Sequence, residues 1–414
     1  MKSTLAPVAA LLISVSILLT GQGLQGTLLP VRASLEQFPT LAIGAMGAAY
    51  FVGFTLGCMR GGELVRRVGH VRVFLAMGAL ASASPLVHAL AVDPMAWGFL
   101  RLLSGFCFAV LYVVIESWLN ERSTNETRGI VFATYAMITM TVLALGQMLT
   151  LLYDPADFEL FIVASVLVSL GAVPIALSTS PSPEQPHSAS VDIPRLFKIS
   201  PSGTLGCLVS GFANGAFWSL APVFAVSISS GTALAAWFMT SAVIGGAITQ
   251  WPIGLLSDKF SRRGTLIAVT ATGCAIGLAL GLFGPDMSFL MVNMLGAMWG
   301  ALAFPLYTIS VAHANDHAEP HEYVTVSSGL LLMYGIGATI GPFIASALMT
   351  YLGVGYLFVF AAITHGVFAI YAITRALKKE QSDVDTPISF GDALAATQTA
   401  SQVYEEETLQ EDET

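Results

Sequence analysis

Five residues of one stretch, Arg101, Gly105, Phe108, Tyr112 and Glu116, follow one another at steps of 4, 3, 4 and 4. On a helix that spacing puts them on a single face. The stretch around them, 95–119, is otherwise almost wholly apolar. A guanidinium and a carboxylate in such surroundings can hold a polar solute or pass a proton where they line a wet cavity. A charge within a membrane is costly enough that it normally faces one. The two cannot pair directly, because fifteen residues of helix separate them by about 22 Å. Arg101 lies near the end of its stretch, so snorkelling of its long side chain to an interface is the competing reading. His88 and His365 could carry protons, although a lone histidine in an apolar stretch is more often a packing residue.

The elements that must position these groups follow from composition. Apolar residues make up 55% of the 414-residue chain and charged ones 10%, more hydrophobic mass than one soluble core needs. A membrane span takes about 20 mostly apolar residues, and twelve such runs can be read off: 5–29, 40–59, 71–90, 95–119, 130–152, 158–177, 205–228, 232–255, 265–283, 287–312, 324–348 and 354–373. The first follows Lys2, as a signal peptide would, but it is longer than a signal core and holds Gln22 and Gln25, so it reads as a retained helix. The four cysteines, Cys58, Cys107, Cys207 and Cys274, fall in separate runs without metal or redox spacing and read as free, buried thiols.

The basic residues give the expected orientation. With a cytoplasmic N-terminus, the cytoplasmic side collects Lys2, Arg60, Arg66, Arg67, Arg72, Arg122, Arg128, Arg195, Lys198, Lys259, Arg262, Arg263, Arg375, Lys378 and Lys379, and the opposite side only Arg32. Twelve spans and two cytoplasmic termini fit this bias. The net charge of −9 belongs to the tail: ten of the 26 acidic residues lie beyond Lys379, leaving 16 against 17 basic ones. That tail, 376–414, reads as disordered, and nothing in the charge distribution points to nucleic acid.

A Pro- and Ser-rich segment, 178–204, divides the chain into a first bundle, 1–177, and a second, 205–375. Within that segment, Pro194 is positioned to start a short helix on the membrane face. The halves repeat. Gly23 and Pro30 recur as Gly215 and Pro222, and Gly62 as Gly254, all at an offset of 192; Gly105 and Tyr112 recur as Gly300 and Tyr307, and Gly146 as Gly341, at 195. Matches at nearly one offset, each in the corresponding span, imply an internal duplication.

The loop after span eight reads Gly254, Asp258, Lys259, Ser261, Arg262, Arg263, and that after span two Gly62, Arg66, Arg67, Gly69, His70, Arg72. Both resemble the G-x-x-x-D-[RK]-x-G-[RK]-[RK] signature of the major facilitator superfamily, and the resemblance covers essentially the whole chain. It implies an all-α membrane protein of two pseudo-symmetric six-helix bundles. It also implies that this cluster latches the cytoplasmic side, with Arg66 in place of the usual aspartate free to meet Glu116, Glu121 or Glu126. Arg101 with Gly105 resembles the family's R-x-x-x-G pattern, in which the arginine is associated with proton coupling. The stretch 115–129, with Tyr135, Gly146 and Gln147 downstream, looks like an uncharacterised bacterial branch of the family, the YcaD-like one.

Spans one, four, seven and ten face the cavity in this family, so the resemblance makes Gln22, Gln25, Tyr112, Asn214, Trp218, Asn293 and Tyr307 cavity candidates; each amide could equally be an interhelical hydrogen bond. The G-x-x-x-G-P pattern of drug/proton antiporters is absent from span five and partly present in span eleven at Gly337, Gly341 and Pro342. His313, His317 and His321 have helical spacing, but Pro320 interrupts them and no metal site is expected. No nucleotide cradle and no converging nucleophile, base and orienting group are present, so ATP-driven transport and enzymatic activity are not expected.

The reading is a monomeric inner-membrane secondary transporter without cofactor. It moves a small solute by alternating access, with protons as the energy source, Arg101 and Glu116 as coupling residues, and export favoured over uptake. The alternative is a non-transporting sensor or scaffold that signals through the acidic tail.

Overall fold

The computed structural model describes residues 8–124, 127–177, 192–229, 231–319 and 322–378. Among these, twelve helices are long and apolar enough to cross a membrane: Ala9–Leu35, Thr40–Val68, His70–Leu90, Pro94–Glu121, Arg128–Leu151, Glu159–Ala176, Pro201–Ser227, Ala233–Lys259, Arg262–Asp286, Phe289–Asn315, Thr325–Leu352 and Tyr356–Leu377. They are spans one to twelve below. Spans four, seven and nine start ahead of their apolar stretches, each on a polar cap that composition leaves out. Asp93 accepts from the amides of Met95 and Ala96 at the start of span four, Ser200 from Gly203 at span seven, and Ser261 from Gly264 at span nine.

The short helix expected in the linker spans Ile193–Ile199, capped by Asp192. It is tied to the start of span eleven by Arg195, whose guanidinium pairs with Glu322 at 2.7 Å, and by Leu196, which lies against Gly329. Residues 178–191 of the Pro/Ser-rich segment, the acidic tail from Lys379 and His321 lie outside the described residues, and the end of the segment, from Pro201, belongs to span seven.

Close approaches of helices show the duplication in three dimensions. A Cβ on Gly23 would overlap Leu143 of span five, and one on Gly215 would overlap Ala338 of span eleven. Gly146 meets the Thr20 carbonyl while Gly341 meets that of Phe212. Gly105 meets the Tyr50 carbonyl while Gly300 meets that of Ala242, and Gly53 and Gly245 do the same against Leu102 and Ala297. The partners repeat with the glycines: Thr20 and Phe212, like Tyr50 and Ala242, are 192 apart, and Leu143 and Ala338, like Leu102 and Ala297, are 195 apart. One position shows how a substitution keeps a contact. Gly57 lies against the Phe106 carbonyl, and its counterpart Thr249 donates to the equivalent carbonyl of Ala301 at 2.8 Å. Small residues let membrane helices approach this closely without a hydrophobic driving force between them.

Between the halves, spans two and eleven meet, as do spans five and eight. Gly44 lies against Pro342 and Ser346, Gly47 against Ser219, and the Thr240 hydroxyl reaches the Ala144 carbonyl at 3.3 Å and Gln147 at 3.4 Å. All of these sit at the end opposite the arginine-rich loops. Nearer the arginines, Gly335 approaches Thr55.

Span ten is broken. Pro305 has no N–H to continue the ladder, so the helix divides into Phe289–Ala303 and Pro305–Asn315. The loops also explain the unequal signatures. Gly69 turns the chain between spans two and three at φ +94°, a left-handed value that glycine accommodates. Its counterpart Ser261 is extended at φ −167° and caps span nine, so no glycine is required there. All four cysteines are free; Cys107 and Cys207 are buried, but Cys58 and Cys274 are only half-buried.

Candidate functional site

Between the two halves lies a cavity of about 310 Å³. Span one contributes Gln22 and Gln25, span four Arg101, Tyr112 and Glu116, span seven Asn214 and Trp218, and the lower segment of span ten Tyr307. Of the nine cavity and coupling candidates, eight line this one space.

Asn293 does not. Its Nδ2 donates to the Phe289 carbonyl at 2.7 Å and its Oδ1 accepts from Ser241 of span eight at 3.4 Å, so it holds two helices of one half together. Asn293 lies in the first turns of span ten, where that face packs on span eight, and Gly300 on the same face packs on Ala242 as Gly105 does on Tyr50. Phe304 lies in the cavity wall, stacked on Trp218 with centroids 5.3 Å apart and planes at 9°.

Arg101 does not snorkel away. Its guanidinium carbon sits 4.2 Å over the Tyr50 ring, a cation–π arrangement that places the charge against the cavity. The Tyr50 hydroxyl accepts from Gln22 Nε2 at 2.9 Å, and Gln22 Oε1 in turn accepts from the Tyr112 hydroxyl at 2.9 Å. One turn along span four is Glu116, whose carboxylate is buried and accepts from Tyr135 at 3.4 Å. Tyr50, Gln22 and Tyr112 thus run along the wall from beneath Arg101 to one turn short of Glu116.

In the second half the polar groups are less satisfied. Asn214 Nδ2 donates to Ser210 at 3.2 Å, but its Oδ1 has no partner. The Tyr307 hydroxyl has none either, although its ring lies 5.0 Å from that of Tyr334. Both amide atoms of Gln25 are likewise buried and unpartnered. Buried polar groups are usually paired, so three such groups around one cavity mark a place for a polar ligand.

Tyr50, Tyr135, Gln147, Gln250, Phe304 and Tyr334 also line the cavity. Tyr135 and Gln147 stood among residues that resemble the YcaD-like branch; the others carried no signal of their own, because an aromatic or amide in an apolar helix does not announce which neighbour it faces.

The signature loops behave differently in the two halves. Arg262 pairs with Asp258 at 2.8 Å and with Asp316 beyond span ten, and Arg262 and Asp316 are 7% and 6% exposed. This ion cluster, buried at Arg262 and Asp316 and open at Asp258, joins spans eight, nine and ten. Lys259 lies 5.6 Å over the Phe260 ring, and Arg263 is half-buried. In the first half, Arg67 pairs with Glu63 on the surface, while Arg66 is exposed and makes no ion pair with a described carboxylate. Glu126, one of its expected partners, lies outside the described residues. The described histidines stand apart from the cavity. His88 and His365 each hold the carbonyl one turn back, at 2.8 and 2.7 Å, and His317 holds that of His313.

The sequence model of the Major Facilitator Superfamily matches residues 11–228 and 203–403. The chain belongs to that superfamily. It is a membrane transporter, not an enzyme. Among curated relatives, the uncharacterized MFS-type transporter YcaD of Salmonella newport is 26% identical over 381 residues, 91% of this chain and 97% of that protein. The YcaD of Salmonella arizonae matches equally. Of solved superfamily structures, the nucleoside transporter NupG has a TM-score of 0.71 at 13% identity, covering 91% of this chain and all of that one. A bacterial homolog of the human lysosomal transporter Spinster, inward-facing and occupied, scores 0.72 at 16% identity, with 91% and 99% covered. The transporter FucP in an outward conformation scores 0.56 at 16%, with 90% and 99% covered.

Proposed function

We propose that this superfamily member is a monomeric, proton-coupled transporter of a small solute. It exposes the central cavity alternately to the two sides of the bacterial inner membrane as its two six-helix bundles rock about the seam. The observation that carries the reading is the cavity itself, which holds a cation, a carboxylate and unpartnered amides between two halves. Arg101 and Glu116 are the coupling pair. Protonation at one end of the wall is passed on by shifts in the hydrogen bonds of Tyr50, Gln22, Tyr112 and Tyr135.

The bias of basic residues supports two cytoplasmic termini. The bundles are then 1–177 and 205–375, with 178–204 as a cytoplasmic linker and 376–414 as a cytoplasmic tail. The tight contacts of Gly44, Gly47 and Thr240 lie at the outer end under that orientation, and the lining reaches inward to Glu116 and Phe132. These contacts support an inward-facing state. Export over uptake belongs to the same proposal. The contacts of Gly44, Gly47 and Thr240 form the seam about which the halves move, while the Arg262 cluster ties spans eight, nine and ten within the second half.

The test is solute-dependent proton movement in proteoliposomes across a broad metabolite and drug panel. Proton flux coupled to at least one solute is expected. No flux with any of them would favour the sensor reading instead.

A further inference from the structure

The ion cluster of the second half has lost its pattern of charge in the first, although all three positions are still there. At the repeat offsets of 192 and 195, Asp258 corresponds to Arg66, Arg262 to His70 and Asp316 to Glu121. His70 is buried against Trp118, with ring centroids 6.0 Å apart, and Glu121 is exposed at the end of span four and makes no ion pair with Arg66. The ends of spans two and three therefore present four exposed arginines, Arg60, Arg66, Arg67 and Arg72. Arg60 and Arg67 share one carboxylate, Glu63; Arg66 and Arg72 pair with no described carboxylate. The opposite surplus lies elsewhere in the chain. Residues 380–413 carry ten acidic side chains and no basic one, and six of the ten are Glu405, Glu406, Glu407, Glu411, Asp412 and Glu413.

We propose that the acidic tail docks on this arginine surface and supplies the first half with the carboxylates its own loop lacks. The two are on one side of the membrane, because ten spans, an even number, separate the end of span two from the end of span twelve. They are also within reach. Span twelve packs on span eleven and span eleven on span two, two steps of about 8–10 Å each. Glu405 lies 27 residues beyond Lys378, the end of the last helix. That length covers about 40 Å wound as a helix and about 90 Å extended. Single exposed ion pairs are weak, so the contact draws on several at once and on the tether that keeps the carboxylates near. Because the tail is rooted in the second half and docks on the first, it joins the two bundles across the side on which the cavity opens.

Distances between paired spin labels on the full chain test this, with the half-buried Cys58 and Cys274 replaced by alanine. One label sits at Thr408→Cys, beside the acidic triplet. The other sits at Val68→Cys in the first-half loop or at Phe260→Cys, its counterpart 192 residues on; the native side chains there are 42% and 72% exposed. An undocked tail starts nearer Phe260, because span twelve packs on span nine, with Ala362 against Gly277. Docking is expected to reverse that order and make the distance to Val68→Cys the shorter in phosphatidylcholine nanodiscs. The reversal should be lost with Arg66→Gln and Arg72→Gln together, with Glu405→Gln, Glu406→Gln and Glu407→Gln together, and in about 1 M salt, where the Debye length falls to about 3 Å. A tail that stays nearer Phe260→Cys, or a reversal that survives both sets of glutamines, overturns the proposal. Release of the tail when phosphatidylglycerol replaces phosphatidylcholine also overturns it, since the arginines then belong to lipid headgroups.

Discussion

In the first six spans Tyr112 closes on Gln22 and Arg101 rests on Tyr50; at the matching positions of the last six, the Tyr307 hydroxyl and Asn214 Oδ1 stay unpartnered and Gly296 stands where the arginine would be. The helix contacts beneath these residues are the same in both halves, carbonyl for carbonyl. Duplication therefore preserved the contacts that hold helices together and released the cavity-facing positions. One half kept charge and a closed polar thread, and the other kept open hydrogen-bonding groups. The loops diverged in the opposite sense, with the buried ion cluster in the second half and exposed arginines in the first.

That comparison can be broken at several levels. The largest expected effect is at the loops. Arg262→Ala removes the ion pair to Asp316, in which the two side chains are 7% and 6% exposed, and should cost about 3–5 kcal/mol, whereas Arg66→Ala, at an exposed residue, should change stability by no more than about 0.5 kcal/mol. Unfolding titrations in detergent micelles would compare them, and equal effects would contradict the asymmetry. Next is the scaffold. Gly105→Ala and Gly300→Ala each push a methyl group against a backbone carbonyl and should each cost about 1–3 kcal/mol. Here the halves should agree, and tolerance at one site alone would mean that the repeat is not energetically matched. The smallest effect is at the tyrosines. Tyr112→Phe breaks a made hydrogen bond and should cost about 1 kcal/mol. Tyr307→Phe, in the solute-free protein, removes a hydroxyl that bonds nothing and should cost none. Melting temperatures of the two variants check this.

Much of the scaffold was legible in the sequence, because membrane spans are written in composition and the repeat in glycine spacing. Gly23, Gly105 and Gly146 could be matched to their counterparts since close helix approach leaves few alternatives to glycine. The cavity was legible where a charge or an amide interrupts an apolar run, as at Arg101, Glu116, Gln22, Gln25 and Asn214. Periodicity misplaced Asn293, because sharing a face with Gly300 and Tyr307 does not say that its own turn packs on Ser241 of span eight. It also could not find Tyr50 or Phe304, since an aromatic ring suits lipid, helix packing and cavity wall alike. Asp316 escaped for another reason: it lies beyond the signature loop and reaches Arg262 only once three helices have packed.

The most direct test of the account concerns Arg101, the cation that the first half holds over Tyr50 and the second half lacks. Arg101→Gln keeps the size and some hydrogen bonding of the side chain but removes its charge. In proteoliposomes carrying a proton gradient, the variant is expected to lose uphill accumulation of solute while still exchanging solute across the membrane at equilibrium. Normal gradient-driven accumulation by Arg101→Gln would contradict the assignment of coupling to the first half.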